Sequence, residues 1–172
     1  GGVPTADGKV AEVALDFEVL RELGIVAREY GLSGAVQHGA STLPDELFHK
    51  FPEAETAEVH LATGFQNFLY EHELFPAELY AKVERFCFDE CADERSEGQT
   101  DVQFVYKNRK KALGPIKRDL WDLDVKDRII GDQQAKMKFI FEQLGIAGNK
   151  ATVEKYVRAP QRHKPLPASL KA

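Results

Sequence analysis

The chain has 172 residues, 43% of them hydrophobic and 30% charged, and its 23 basic against 28 acidic side chains give a net charge of −5. That composition excludes collagen-like and wholly disordered chains. The acidic balance and a pI near 5.6 give no footing for a nucleic-acid binder or a polybasic membrane anchor.

The length implies one domain, or one plus an appendage. No run of about 18 apolar residues occurs, so no spanning helix is expected. Two cysteines, Cys87 and Cys91, cannot staple a small secreted fold, and no signal peptide or lipidation motif is visible, so a cytoplasmic protein is expected. The chain opens Gly1-Gly2-Val3-Pro4 and its sole methionine is Met137, which points to an upstream segment.

Residues 1–10 are rich in turn formers, and a short extended piece is expected around 10–15. Asp16 is placed to cap a helix over roughly 17–30, with Phe17, Leu20, Leu23 and Val26 or Ala27 on its apolar face and Gly31 as its C-terminal stop. A buried strand, Gly34 to His38, runs into the small-residue turn Gly39-Ala40-Ser41-Thr42. The next helix starts at Pro44, capped by Ser41 or Thr42, carries Leu47 and Phe48, and stops before Pro52. A second strand, Ala57 to Ala62, opens at Thr63-Gly64 into a helix with Phe65, Phe68 and Leu69.

The remainder reads as helical. Residues 76–93 carry an apolar stripe of Leu79, Val83, Phe86 and Cys87. Residues 101–112 form a basic-ended segment closed by Gly114-Pro115. A long helix at about 125–145 repeats Met137, Ile140, Phe141 and Leu144 at the spacing of one buried face, a shorter one follows at 150–158, and residues 159–172 read as a tail.

Strands alternating with helices argue for a parallel sheet covered by helices, yet two strands are too few for one. A closed eight-stranded α/β barrel takes about 250 residues, so the expected fold is the C-terminal end of a larger α/β domain with a helical extension. The expected division is 1–75 for the βα units, 76–158 for the helical extension and 159–172 for the tail.

Chemistry concentrates at the two strand ends. Small residues there let backbone N–H groups approach a ligand, and the following helix starts direct their positive dipole ends at it. Ser41 and Thr63 add hydroxyl donors, which suits phosphate; the alternative is two ordinary strand-to-helix turns. His38, at the edge of an apolar strand beside a glycine turn, is open to a structural or a zinc-binding reading, and one histidine does not complete a zinc site. Cys87 and Cys91, at i and i+4, suit burial better than a metal. The Arg109-Lys110-Lys111 run reads as a solvated helix end, and Trp121 as a core or interface anchor. His49, His72 and His163 show no ligand spacing, and Glu22 and Glu29 read as solvated.

Val36-Gln37-His38-Gly39-Ala40-Ser41, followed about twenty residues later by His60-Leu61-Ala62-Thr63, resembles the C-terminal part of class II, metal-dependent fructose-bisphosphate aldolases. In that family one strand ends in His-Gly-Gly-Ser and the next in Asn-x-(Asp, Asn or Ala)-Thr. The resemblance covers residues 1–72 well and the rest more loosely. It implies the last two βα units of a (β/α)8 TIM barrel, with His38 as a zinc ligand. It further implies that Gly1, Gly39, Ala40 and Ser41 face the substrate phosphate or triose, and that His60, Leu61, Ala62 and Thr63 form the second half of the pocket. Ala40 stands where the commoner motif has its second glycine, and His60 where the family usually has asparagine.

The implied reaction is reversible cleavage of fructose 1,6-bisphosphate to dihydroxyacetone phosphate and glyceraldehyde 3-phosphate. Zinc acts as the Lewis acid, and a monovalent cation is a further expected cofactor. Further ligands and the proton-transferring acid are expected upstream of Gly1, with a histidine directly before it, so the chain alone is expected to be inactive. The expected partners are a phosphorylated sugar, the upstream part of the same barrel and a second copy of the full-length protein, with no nucleic acid and no membrane. The competing expectation is a stand-alone helical interaction protein without catalytic activity.

Overall fold

The computed structural model describes residues 5, 15–40 and 43–158. The first helix, α1 (Phe17–Glu29), starts where one side chain can satisfy its free donors: the Asp16 carboxylate accepts from the Glu18 and Val19 N–H groups at 3.0 and 3.1 Å. It ends in a Schellman turn, in which Leu32 N–H donates to the Ala27 carbonyl and Gly31 N–H to Arg28, both at 3.0 Å. Gly31 supplies the left-handed residue this turn needs, at φ +78°. Only Leu20 and Gly24 of α1 are buried; Leu23 and Val26, expected on its inner face, are exposed.

Two short strands, β1 (Val36–His38) and β2 (Glu58–His60), pair in parallel with Val36 opposite Glu58 and His38 opposite His60. Both are shorter than the sequence suggests, although Ala57 N–H still donates to the Ala35 carbonyl at 2.9 Å just before the ladder. Ala35, Val59 and Leu61 turn toward Leu20, Phe48, Phe51 and Phe65, which fill the space between the strands and the helices on one face. The other face carries Val36, His38, Glu58 and His60, all exposed.

Between the strands, a 3-10 turn (Asp45–His49) runs straight into α2 (Lys50–Glu53), so the helix does not stop before Pro52. Pro52 falls in the first turn of α2, where a missing N–H costs no helical hydrogen bond. The residue preceding the 3-10 turn is Pro44, which offers no side-chain cap; the expected caps, Ser41 and Thr42, lie outside the described residues.

After β2 the chain is helical: α3 (Thr63–Tyr70), α4 (Ala77–Glu90), α5 (Asp101–Asn108), α6 (Lys117–Trp121), α7 (Lys126–Gln143) and α8 (Lys150–Tyr156). A capping box begins α5, with Thr100 Oγ1 accepting from Gln103 N–H and Gln103 Oε1 from Thr100 N–H. The α4 stripe behaves as its spacing predicts: Leu79, Val83 and Cys87 are buried and Phe86 half-buried, against Phe104, Val105, Ala112 and Ile116. No helix among the described residues is long and apolar enough to cross a membrane.

Expectations are corrected in this half at Arg109, in α7 and, for its core alternative, at Trp121. Arg109 is not a solvated helix end. A 3-10 turn (Arg109–Leu113) continues α5, and Val105, Arg109 and Ala112 follow one another at 0, 4 and 7 on its inward side. Lys110 and Lys111 of the same run do remain exposed. In α7, Met137 and Phe141 are exposed, and the buried row is instead Ile129 and Ile140 with half-buried Gln133 and Lys136 between them. Polar partners permit this choice, because Lys136 pairs with Asp45 and Gln133 Nε2 donates to the Phe65 carbonyl at 3.4 Å. Ile140 and Leu144 thereby join the core beneath the strands, so α7 packs back on the βα units. Trp121, expected as a core or an interface anchor, is 67% exposed and so is not part of the core. The tail, 159–172, and most of the piece at 10–15 lie outside the described residues.

Candidate functional site

Parallel pairing in register puts side chains of neighbouring strands on the same face, about 4.8 Å apart across the ladder. His38 and His60 are such a pair and close their strands at the same end. Their ring centroids are 4.3 Å apart, with an interplanar angle of 36°. Glu58, two residues before His60 and so on the same face, sets its Oε1 2.5 Å from His60 Nε2. The result is a row of carboxylate, imidazole and imidazole along the strand ends, on the face away from the core.

Each strand then leaves the sheet by a turn of small residues. Gly39, at φ +75°, takes a left-handed bend straight after His38 that a residue with a β-carbon adopts only with strain. Ala40 is 2% exposed and belongs to the buried cluster with Leu43 and Phe48, so it serves packing rather than a ligand. After β2, Leu61 turns its side chain to the core and Ala62 is exposed as the residue before α3. Thr63 is the first residue of α3 and is half-buried. Ser41 and Gly1 lie outside the described residues.

The two helix starts differ in their electrostatics. Asp45 and Glu46 sit in the first turn after β1, where their carboxylates already answer the positive end of the turn. The first turn of α3 has no acidic residue, and it starts three residues after His60. Of these two, α3 is therefore the better suited to a phosphate.

The structure thus brings together His38, Gly39, His60, Ala62 and Thr63, and gives Leu61 and the Ala40 methyl to packing. Glu58 was not singled out in the sequence; its signal was the alternation in Glu58-Val59-His60, which places an acid and an imidazole on one strand face.

The cysteines, Tyr70 and the other described histidines are engaged in packing or hydrogen bonds. Cys87 and Cys91 are both buried, and burial, with smaller contributions from Cys91 and Glu84, pushes the Cys87 thiol up to about 11, which disfavours the thiolate a metal requires. Burial likewise raises the Tyr70 hydroxyl to about 12, with the Arg109 charge pulling the other way. His49 Nδ1 bonds the Glu46 carbonyl at 2.6 Å, and His72 ties Leu74 N–H to Asp132; His163 lies outside the described residues. Among the described residues no group of three or more His, Cys, Asp or Glu side chains could hold a metal ion. Comparisons with protein-family models, curated proteins and solved structures give no match to this chain.

Proposed function

We propose that the chain is the C-terminal portion of a class II ketose-bisphosphate aldolase, contributing the last two βα units of a (β/α)8 barrel and a helical extension. The observation that carries the reading is the in-register pair of His38 and His60 on the face of β1 and β2 that the helices leave uncovered. In a closed βα barrel that face is the interior, and ligands bind at the C-terminal ends of the strands. The exposed apolar residues of α1, among them Leu23 and Val26, suit contact with the upstream barrel or a second subunit. The enzyme would work in the cytoplasm.

The exposed imidazole of His38 would supply one coordination position of a zinc site, and since no group of three or more such side chains occurs among the described residues, further ligands would come from elsewhere in the full-length protein. Zinc held there would act as a Lewis acid on the ketone of the substrate. The residues of this chain hold and orient. His38 supplies its ring nitrogen. His60, steadied by Glu58, offers a polar contact to the triose where the family usually has asparagine. The Thr63 hydroxyl and the first N–H groups of α3 suit the phosphate, and the resemblance assigns Gly39 and Ser41 to the same task. A phosphate gripped in this way fixes the reacting carbon and turns binding energy into orientation.

The test uses the full-length parent. His38→Ala should remove bound zinc and aldol cleavage together, and retained turnover would count against its role. Ser41→Ala should raise the Michaelis constant for phosphate-bearing substrates by about 5- to 150-fold, the worth of about 1–3 kcal/mol for a hydrogen bond to a charged group. The 172-residue chain alone should neither retain zinc nor cleave fructose 1,6-bisphosphate, and measurable cleavage by it would refute the division of the site. The sequence preceding Gly1 should show a histidine directly before it and about 150 residues of βα repeats, the balance of a barrel. An unrelated domain there would favour the interaction-protein reading.

A further inference from the structure

Helices α3, α6 and α7 line a half-open concavity of about 250 Å³ that shares no residue with the strand ends. Leu69, Leu120, Leu123, Ile129 and Ile130 form its wall, so an apolar guest is favoured over water, which needs two to four polar partners to stay in a cavity. Trp121 lies at its edge and is 67% exposed, a large apolar surface with no cover among the described residues.

The charges at this rim are of one sign. Lys117 and Lys126 both line the cavity. Lys126 Nζ donates to the Trp121 carbonyl at 2.7 Å and stands 4.7 Å from the indole centroid, which holds the ammonium at the edge. An ammonium has three donors, so others remain for a guest. Of the acids near this rim in sequence, Asp119 is engaged by Lys82 at 2.7 Å and Asp122 by Arg118 at 2.9 Å, while Asp124 and Asp127 are exposed and do not line the cavity. An apolar wall with a cationic edge selects an apolar body with an anionic head. For scale, an apolar cavity of about 150 Å³ accepts benzene, so this one suits a chain of about eight carbons.

We infer that this cavity binds a small amphipathic carboxylate, its aliphatic chain against the leucine and isoleucine wall and its head group at Lys117 and Lys126. The inference is independent of the aldolase reading.

Trp121 is the only tryptophan of the chain, so its emission reports on this cavity alone. Octanoate titrated into the 172-residue chain should shift that emission saturably, and octanol, which keeps the chain but not the charge, should bind at least ten-fold more weakly. Lys117→Met with Lys126→Met should bring octanoate affinity down to that of octanol while leaving octanol unchanged. Ile130→Trp should occlude the cavity, and the indole N–H resonance of Trp121 in that variant should no longer move with octanoate. Equal affinity for acid and alcohol, octanoate binding indifferent to both lysine substitutions, or an unsaturable response would each overturn the inference. So would emission that depends on protein concentration and ignores octanoate, which would mean that a second copy of the chain covers this face.

Discussion

Tyr70 donates its hydroxyl hydrogen to the main-chain carbonyl of Arg109 at 2.8 Å, while the guanidinium carbon of the same arginine stands 5.2 Å from the centre of the Tyr70 ring. The guanidinium also lies 4.8 Å from the Tyr106 ring centre and donates to Asn67 Oδ1 at 2.7 Å and Glu71 Oε1 at 2.6 Å. Asn67 in turn donates to the Tyr106 hydroxyl at 3.0 Å. One buried cation therefore ties α3 to α5 and the turn that follows it.

Arg109→Ala should destabilise the chain by about 2–3 kcal/mol, the loss of a charged hydrogen-bond donor and its contact with two rings. Glu71 stays largely in water, so the cost falls short of that for stranding a buried charge. Arg109→Lys should lose only about 1 kcal/mol, since an ammonium can still reach Asn67 and Glu71 but has no planar group to lie against both rings. Urea unfolding of the three proteins checks the order, and a lysine variant as unstable as the alanine one would contradict it.

Stability should fall as the solution becomes strongly alkaline. Burial raises Tyr70 from 10.0 to about 12 and Cys87 from 9.0 to about 11 in the folded chain. Between the lower and the upper value of each pair, the unfolded chain sheds a proton that the folded chain keeps, so rising pH favours unfolding. The contribution of both groups is intact below about pH 9, is lost first through Cys87 and is then lost through Tyr70 up to about pH 12. Urea midpoints measured across that range should decline, and Cys87→Ala should flatten the lower part of the decline. A midpoint unchanged between pH 9 and 11 in the parent chain would refute the assignment.

Gly34→Ala should cost more than Gly31→Ala. Both glycines have positive φ, +147° and +78°, so each substitution strains the backbone. At Gly31 a β-carbon meets nothing within 4 Å, whereas at Gly34 it meets Ala57 Cβ at 3.2 Å and the Glu55 carbonyl at 3.3 Å. We expect about 1 kcal/mol at Gly31 and about 2–3 kcal/mol at Gly34, where strain and crowding combine. The crowded atoms lie where the chain enters β1 and β2, so the histidine ring resonances of His38 and His60 should shift in the Gly34 variant only.

Ile140→Ala tests whether the helical extension and the βα units share a core. Ile140 is 2% exposed and packs in the cluster of Leu20, Phe48 and Phe51, although it lies far along the chain from them. A loss of about 2–4 kcal/mol is expected for emptying such a site. Thermal unfolding should remain a single transition at a lower midpoint. An unchanged midpoint would show that α7 does not contribute to that core.

Local features were legible in the amino-acid order because their physics is local. Asp16 and Gly31 bracket α1 through bonds to residues two to five positions away. The stripe of Leu79, Val83 and Cys87 needs only the helical repeat to be recognised. The alternation of strand and helix through residue 70 follows from the same short-range patterns. The sequence motif at His38 and His60 likewise named the residues that face one another across the strand ends.

Pattern alone did not say which apolar row of a helix goes inward. In α7, Met137, Ile140, Phe141 and Leu144 and the row through Ile129 and Ile140 are both helically spaced, and the choice depended on Asp45 and Phe65, far away in sequence, offering partners to Lys136 and Gln133. Arg109 went inward for a similar reason: Tyr70, Tyr106, Asn67 and Glu71 surround it, and no short-range signal announces that company. The sequence by itself determined the order of strands and helices, the two ends of α1 and which residues occupy the strand ends. Tertiary structure decided which face each element buries and which imidazole meets which, because burial free energy depends on neighbours that only the folded chain supplies.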